Sequence, residues 1–203
     1  MTDERMALIE LVENSADADL VRDMLAFGAG HVPGSLNIAA RPELSVWAGW
    51  LLDPERPIHL VMNDDSDLPE VSCLLWRTGF TRFGGYLAGG IGAWREAGRR
   101  LAQIPQMPVH ELKDAGGVVP LDVRKPDEWN DGHVPGARHA FLGELPGTLD
   151  RLDRKASYAT YCASGFRASI GASILAANGF DVRNVPGSWK AWRAADYPVE
   201  DAD

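Results

Sequence analysis

The chain writes one pattern twice. "GHVPGSLNI" begins at Gly30 and "GHVPGARHA" at Gly132, while "TGFTRFGGYLAGGIGAW" ends at Trp94 and "NGFDVRNVPGSWKAW" at Trp192. The pairs Gly79-Phe80 and Gly179-Phe180 stand 100 positions apart, the two GHVPG glycines 102, and the two closing tryptophans 98. Three markers at nearly one offset define a duplicated unit of about 100 residues, an ordinary domain size. The repeat divides the 203 residues into 1–106 and 107–203. The stretch "RRLAQIPQMP" (99–108), with two prolines and no periodicity, reads as the linker.

The second copy is the easier to read. "GGVVPLDVR" (116–124) is a short β-branched run behind turn glycines, so a buried strand is expected. "KPDEWNDG" places Pro126 where a first helical turn tolerates it and stops at Gly132. "ELPGTLDRL" (144–152) reads as a short helix, "SYATYC" (157–162) as a strand and "RASIGASILAANG" (167–179) as a helix closed by Gly179. "DVRNV" (181–185) is a further strand and "SWKAWRAA" (188–195) a closing helix. Strands alternating with helices imply an α/β fold: a mainly parallel sheet flanked by helices on both faces, once per copy.

Charge narrows the partners. The net charge of −9 argues against nucleic acid or an anionic membrane. Residues 1–106 carry −6 and residues 107–203 carry −3, so the second copy is the better host for an anion. Cys73 and Cys162 are the only cysteines; they form neither a disulfide framework nor a CxxC metal pair, and no metal or cofactor is expected. The acidic, broken N-terminus "MTDERMALIELVENSADAD" lacks a signal-peptide pattern, and no apolar run is long enough to cross a bilayer. A reducing, cytoplasmic location is expected, where a thiol stays free.

"YCASGFRAS" (161–169) is the stretch that carries chemistry. Cys162 leaves a strand at its carboxyl end, and a helix begins just after it, where open α/β sheets bind ligands. The small residues Ala163, Ser164 and Gly165, followed by Phe166, let the backbone curl so that N–H groups face an anion. Gly165 supplies dihedrals that other residues resist. Arg167 adds a forked positive charge. The arrangement suits a thiolate nucleophile beside a bound oxyanion. Cys73, mid-helix in "EVSCLLWRTG", is expected to be a core residue.

"LDVRKPDEWNDGHVPGA", "YCASGFRAS" and "VPGSWKAW" together resemble the signature segments of rhodanese domains, in order and spacing, across residues 107–195. The resemblance implies a sulfurtransferase that takes sulfane sulfur from thiosulfate or a persulfide donor onto Cys162. The sulfur then passes to cyanide or a thiol acceptor. It implies that the amides from Ala163 to Arg167 cradle the sulfur, that Arg167 orients the donor, and that Asp122 and Arg124 brace the loop. His133 is expected to be a hydrogen-bonded turn residue. The family usually has a second glycine where this chain has Ser188, which is expected only to change the turn.

The first copy resembles the family more weakly. Aligned through the Gly-Phe pair, Met62 stands at Cys162, Asp64 at Ser164 and Asp67 at Arg167. A thioether cannot carry a persulfide, and the loop has lost its cation, so residues 1–106 read as a degenerate, inactive copy. Its acid cluster is expected to be a solvated cap for the helix starting near Pro69. "ALIEL" (7–11) is expected to match the "PLDVR" strand, across an unusually long gap. Trp47, Trp50 and Trp76 are candidates for a protein-partner surface. An inactive copy ahead of an active one also resembles the tail of persulfide dioxygenase–rhodanese fusion proteins. Two other functions compete: a non-catalytic docking or regulatory module, and a cell-cycle phosphatase of the same fold, whose loop has five residues between Cys and Arg. Here only "ASGF" separates Cys162 from Arg167, a tighter loop that favours sulfur over phosphate.

Overall fold

Parallel pairing accounts for every named strand in the computed structural model, which describes residues 18–21, 24–40 and 43–201. The chain divides into two units, Met1–Gln103 and Ile104–Asp203. The first contains β1 (Ala18–Val21), α1 (Met24–Ala29), β2 (Leu36–Asn37), α2 (Leu44–Leu51), β3 (Ile58–Met62), α3 (Leu68–Trp76), β4 (Phe83–Tyr86) and α4 (Gly90–Glu96). Its sheet order is β2-β1-β3-β4. The second contains α5 (Val109–Asp114), β5 (Val118–Asp122), α6 (Pro126–Asn130), β6 (Arg138–His139), β7 (Ser157–Tyr161), α7 (Phe166–Ala177), β8 (Asp181–Asn184) and α8 (Ser188–Ala194). Its order, β6-β5-β7-β8, repeats that of the first unit.

One inner strand of each sheet is buried along all or nearly all of its length, as expected of a parallel strand covered on both faces. All five residues of β3 are buried, and in β7 Tyr158 to Tyr161 are. The core of the second unit packs Met107, Leu112 and Val134 against Ala159, Tyr161, Val185 and Trp192. The repeat's closing tryptophans share one local device. Trp94 Nε1 donates to Arg100 O at 2.8 Å, and Trp192 Nε1 donates to Pro198 O at 2.7 Å, six residues on in both cases. A large ring is thereby buried without stranding its N–H.

Several expectations need correction. β1 at Ala18–Val21 fills the register expected for "ALIEL", and residues 7–11 lie outside the described residues. Leu20 pairs with Asn37 in β2 as Asp122 pairs with His139 in β6. The stretch read as a linker is tied into structure: Ala102 bridges His31, and Gln106 bridges Asn184. The helix expected over 144–152 is two 3₁₀ turns, Leu142–Gly147 and Leu149–Arg151. Pro146 removes an amide donor there, and Gly147 weakens what remains.

Cys73 is exposed rather than core, because α3 buries the face of Val71 and Leu75, and Cys73, two residues from each, lies on the opposite side of the helix. Trp47 is buried, whereas Trp50 and Trp76 are exposed, so the three tryptophans do not share one surface. Among the described residues, no helix is long and apolar enough to cross a membrane.

Candidate functional site

Asp122 pairs with Tyr161 across the second sheet, and the next amide, Val123 N, donates to Tyr161 O at 3.0 Å. Cys162 therefore leaves β7 at the carboxyl edge of the sheet. Its residue is only 1% exposed. Three bonds fix it. Its N–H donates to Ser188 Oγ at 3.1 Å, its carbonyl accepts from Trp189 N at 2.9 Å, and its Sγ accepts from Gly165 N at 3.1 Å. Ala163 O accepts from Lys190 N at 2.9 Å, so the first turn of α8 grips the loop at two carbonyls.

Gly165 has φ +116° and immediately precedes α7. Only glycine adopts that backbone without strain, and the turn it makes aims its own N–H at the sulfur. Of the cradle expected from Ala163 to Arg167, the Gly165 amide reaches Sγ. Ser164 is exposed, and Phe166 opens α7 half-buried.

The Arg167 side chain is already engaged. Its Nη1 and Nη2 donate to Glu128 Oε2 and Oε1 at 2.6 and 2.7 Å. The bond to Arg167 holds the Glu128 carboxyl below the usual carboxylate range, against its partial burial. The same bond raises the Arg167 guanidinium, and the nearby Cys162 sulfur adds to that. Glu128 also accepts from Lys125 N at 3.2 Å, which seats it in the first turn of α6. Sequence reading passed over Glu128. The available signal was an acid three residues after the residue preceding a helix, the place where a side chain reaches back to the helix start.

Asp122 and Arg124 form a second, deeper pair. Arg124 Nε donates to both Asp122 oxygens at 2.9 Å and Nη2 to Oδ2 at 2.6 Å, with both side chains almost wholly buried. Burial opposes the Arg124 charge, and the Asp122 carboxylate more than offsets it, so the guanidinium is raised. Arg124 Nη2 also donates to Gly132 O at 2.8 Å, and the guanidinium lies 4.6 Å from the Trp189 ring. The Trp189 backbone N–H in turn donates to Cys162 O, so the pair reaches the loop through one residue, by its ring on one side and its amide on the other. His133 is buried, stacked on Trp129 at 3.4 Å between ring centroids, and its amide donates to Glu200 O.

Ser188 does more than alter a turn. It is buried with φ +49°, and its Oγ donates to Val185 O at 2.7 Å while accepting the Cys162 amide. In the first unit Gly90 follows the corresponding Gly89, and a Cβ there would lie 2.2 Å from Met62 O.

The first unit's loop is built differently. Met62 ends β3, paired with Val21, and is fully buried. Asp64 caps a 3₁₀ turn by accepting from Ser66 N at 2.8 Å. The Asp65 carboxylate accepts from Gly89 N at 3.0 Å through both oxygens. The acids thus hold their own turn and the start of α4, while no side chain caps α3 as expected.

Comparison with known proteins agrees with this anatomy in the second unit. The rhodanese-like domain model matches residues 108–195. The thiosulfate sulfurtransferase GlpE of Pseudomonas putida is 34% identical over 101 residues, spanning 49% of this chain and 91% of that protein. The protein of the same name from Coxiella burnetii is 28% identical over 102 residues, spanning 50% and 94%. The crystal structure of a rhodanese-like domain protein from Staphylococcus aureus is 29% identical, with a TM-score of 0.46, over 49% of this chain and 100% of that one. Through residues 108–195, with the loop from Cys162 to Arg167 at the sheet's carboxyl edge, this chain belongs to the rhodanese-like family.

Proposed function

We propose that the second unit, residues 107–203, is a sulfurtransferase that carries sulfane sulfur on Cys162. The observation that carries the reading is the Gly165 N–H directed at Cys162 Sγ from the left-handed start of α7. In the first half-reaction the Cys162 thiolate attacks the outer sulfur of thiosulfate. A Cys162 S–S bond forms, the donor's S–S bond breaks, and the electron pair leaves with sulfite. Helix-start amides stabilise the negative charge on the persulfide, as they do for other anions. In the second half-reaction cyanide or a thiolate takes the outer sulfur and returns the thiolate of Cys162. Ala163, Ser164, Gly165, Phe166 and Arg167 form the donor site, and Asp122 and Arg124 support it.

The first unit, residues 1–106, is a degenerate copy of the same fold. Its strand order supports this reading, and Met62 and Asp67 at the positions of Cys162 and Arg167 deny it the chemistry. A docking role suits this unit. A phosphatase role for the second is disfavoured by the four-residue "ASGF" spacing. A reducing, cytoplasmic compartment keeps Cys162 free. The dioxygenase context suggested by the fusion resemblance stays outside this proposal.

The test is mass spectrometry after incubation with thiosulfate. One added sulfur should map to Cys162 and disappear on cyanide addition. Cys162→Ser should abolish both the adduct and turnover; turnover that survives this change would overturn the mechanism.

A further inference from the structure

A cleft of about 430 Å³ opens beside the carboxyl end of β6. Arg138, His139, Phe141, Glu144, Thr148 and Arg151 are among the residues that line it. Arg138 and Arg151 are exposed, and among the described residues neither guanidinium has an acid partner. Two unpaired arginines facing one hollow are notable in a chain of net charge −9. The other arginines of this site, Arg124 and Arg167, are each bound to a carboxylate.

The cleft shares an edge with the candidate site. His139 Nε2 lies 2.8 Å from Arg124 O, and Ala140 N donates to Asp122 O at 2.9 Å. The sheet order β6-β5-β7 puts the end of β6 two strands from the end of β7, where Cys162 stands. With strands about 4.8 Å apart, that is a span of roughly 10 Å. A small molecule with a thiol at one end and carboxylates at the other bridges such a span. Two guanidiniums match two carboxylates through forked, charge-assisted bonds. Glu144 at the rim works against a bare inorganic anion. It tolerates an organic one whose carboxylates are held apart.

We propose that this cleft binds the carboxylate end of a small thiol acceptor and presents its sulfur to Cys162. The inference rests on the sulfurtransferase reading and adds the acceptor class and its residues. The transfer balances: the acceptor thiolate attacks the outer sulfur of the protonated Cys162 persulfide, and a new S–S bond forms on the acceptor. The persulfide S–S bond breaks, its electron pair returns to Cys162 Sγ, and the proton stays on the transferred sulfur. Neither an oxidant nor a reductant is needed.

Two measurements on the full chain test it. The first compares KM for three acceptors: cyanide, neutral 2-mercaptoethanol and the dicarboxylate N-(mercaptoacetyl)glutamate, whose amide-linked chain sets the thiol at one end and the carboxylates at the other. The double variant Arg138→Ala, Arg151→Ala should raise KM for N-(mercaptoacetyl)glutamate about tenfold or more and leave the other two within about twofold, as expected when charge-assisted contacts confined to one acceptor are lost. An equal shift for all three, or no shift, overturns the proposal. The second is calorimetric titration with the S-methyl ether of N-(mercaptoacetyl)glutamate, which cannot accept sulfur. Binding to the unaltered chain that the double variant loses supports the cleft even if Cys162 proves to carry no sulfur, so the two readings can fail separately. Absence of binding, or equal binding to both chains, counts against the cleft whatever Cys162 does.

Discussion

Arg167 and Glu128 face each other as a two-pronged ion pair, 2.6 and 2.7 Å long, at the mouth of the Cys162 loop. The cation that an anionic donor needs is thus held by an internal carboxylate. A donor must compete with Glu128 for the same fork.

Glu128→Gln should therefore lower KM for thiosulfate a few-fold, read from initial rates at fixed acceptor concentration. Arg167→Ala should act the other way and weaken donor use strongly. An unchanged donor KM in Glu128→Gln would mean that the pair is not in competition with the substrate.

The same pair has a pH signature. The Glu128 carboxyl is held below its ordinary value, chiefly by the bond to Arg167. Its contribution to stability is present above the unfolded-state value and is lost as pH falls through the folded one. The gap in melting temperature between the unaltered chain and Glu128→Gln should narrow on acidification from pH 7 toward pH 3. Partial exposure limits the pair to about 1 kcal/mol or less.

Ser188 gives a sharper test of positioning. Ser188→Ala leaves the Cys162 N–H buried without its acceptor, a loss of about 1–3 kcal/mol. Denaturant unfolding should show that loss. The kinetics should show a reduced kcat with donor KM little changed, because the sulfur's aim is affected and the donor cation is not. Ser188→Thr, which keeps the hydroxyl, should recover part of kcat.

Asp122 and Arg124 should prove interdependent. Asp122→Ala strands a buried guanidinium and should cost about 3–5 kcal/mol. Replacing both by apolar residues, Asp122→Leu with Arg124→Met, should cost less than either single change, as a double-mutant cycle in urea would measure. Leu20 already occupies the register of Asp122 in the first unit.

Cys73→Ser should shift stability by no more than about 0.5 kcal/mol, as expected for an exposed site. Met62→Cys should confer no transferase activity on the first unit. Asp67 stands where Arg167 does in the second unit, and Asp65 is bound to Gly89 N.

Elements with a strong local signal were legible. β7 and α7 were readable to within a residue or two, since a short tyrosine-rich run ending at a cysteine and a glycine-closed apolar helix announce themselves. β6, with two residues, and α5, with six, were missed. Neither is long enough to show a period. The exposure of Cys73 was missed for another reason. Its helix is apolar on more than one face, and only the packing of its neighbours decides which face is covered.

Within the site, the sequence by itself determined the cysteine at the strand end, the glycine turn and the spacing to the arginine. These are properties of one contiguous stretch, where chain geometry leaves little choice. Tertiary structure decided what meets that stretch: Glu128 on Arg167, Ser188 beneath the Cys162 amide, Trp189 between Arg124 and the loop. Each partner comes from a segment more than 20 residues away, on a different helix. Their meeting depends on how parallel strands stack their carboxyl ends along one edge, which no local pattern encodes.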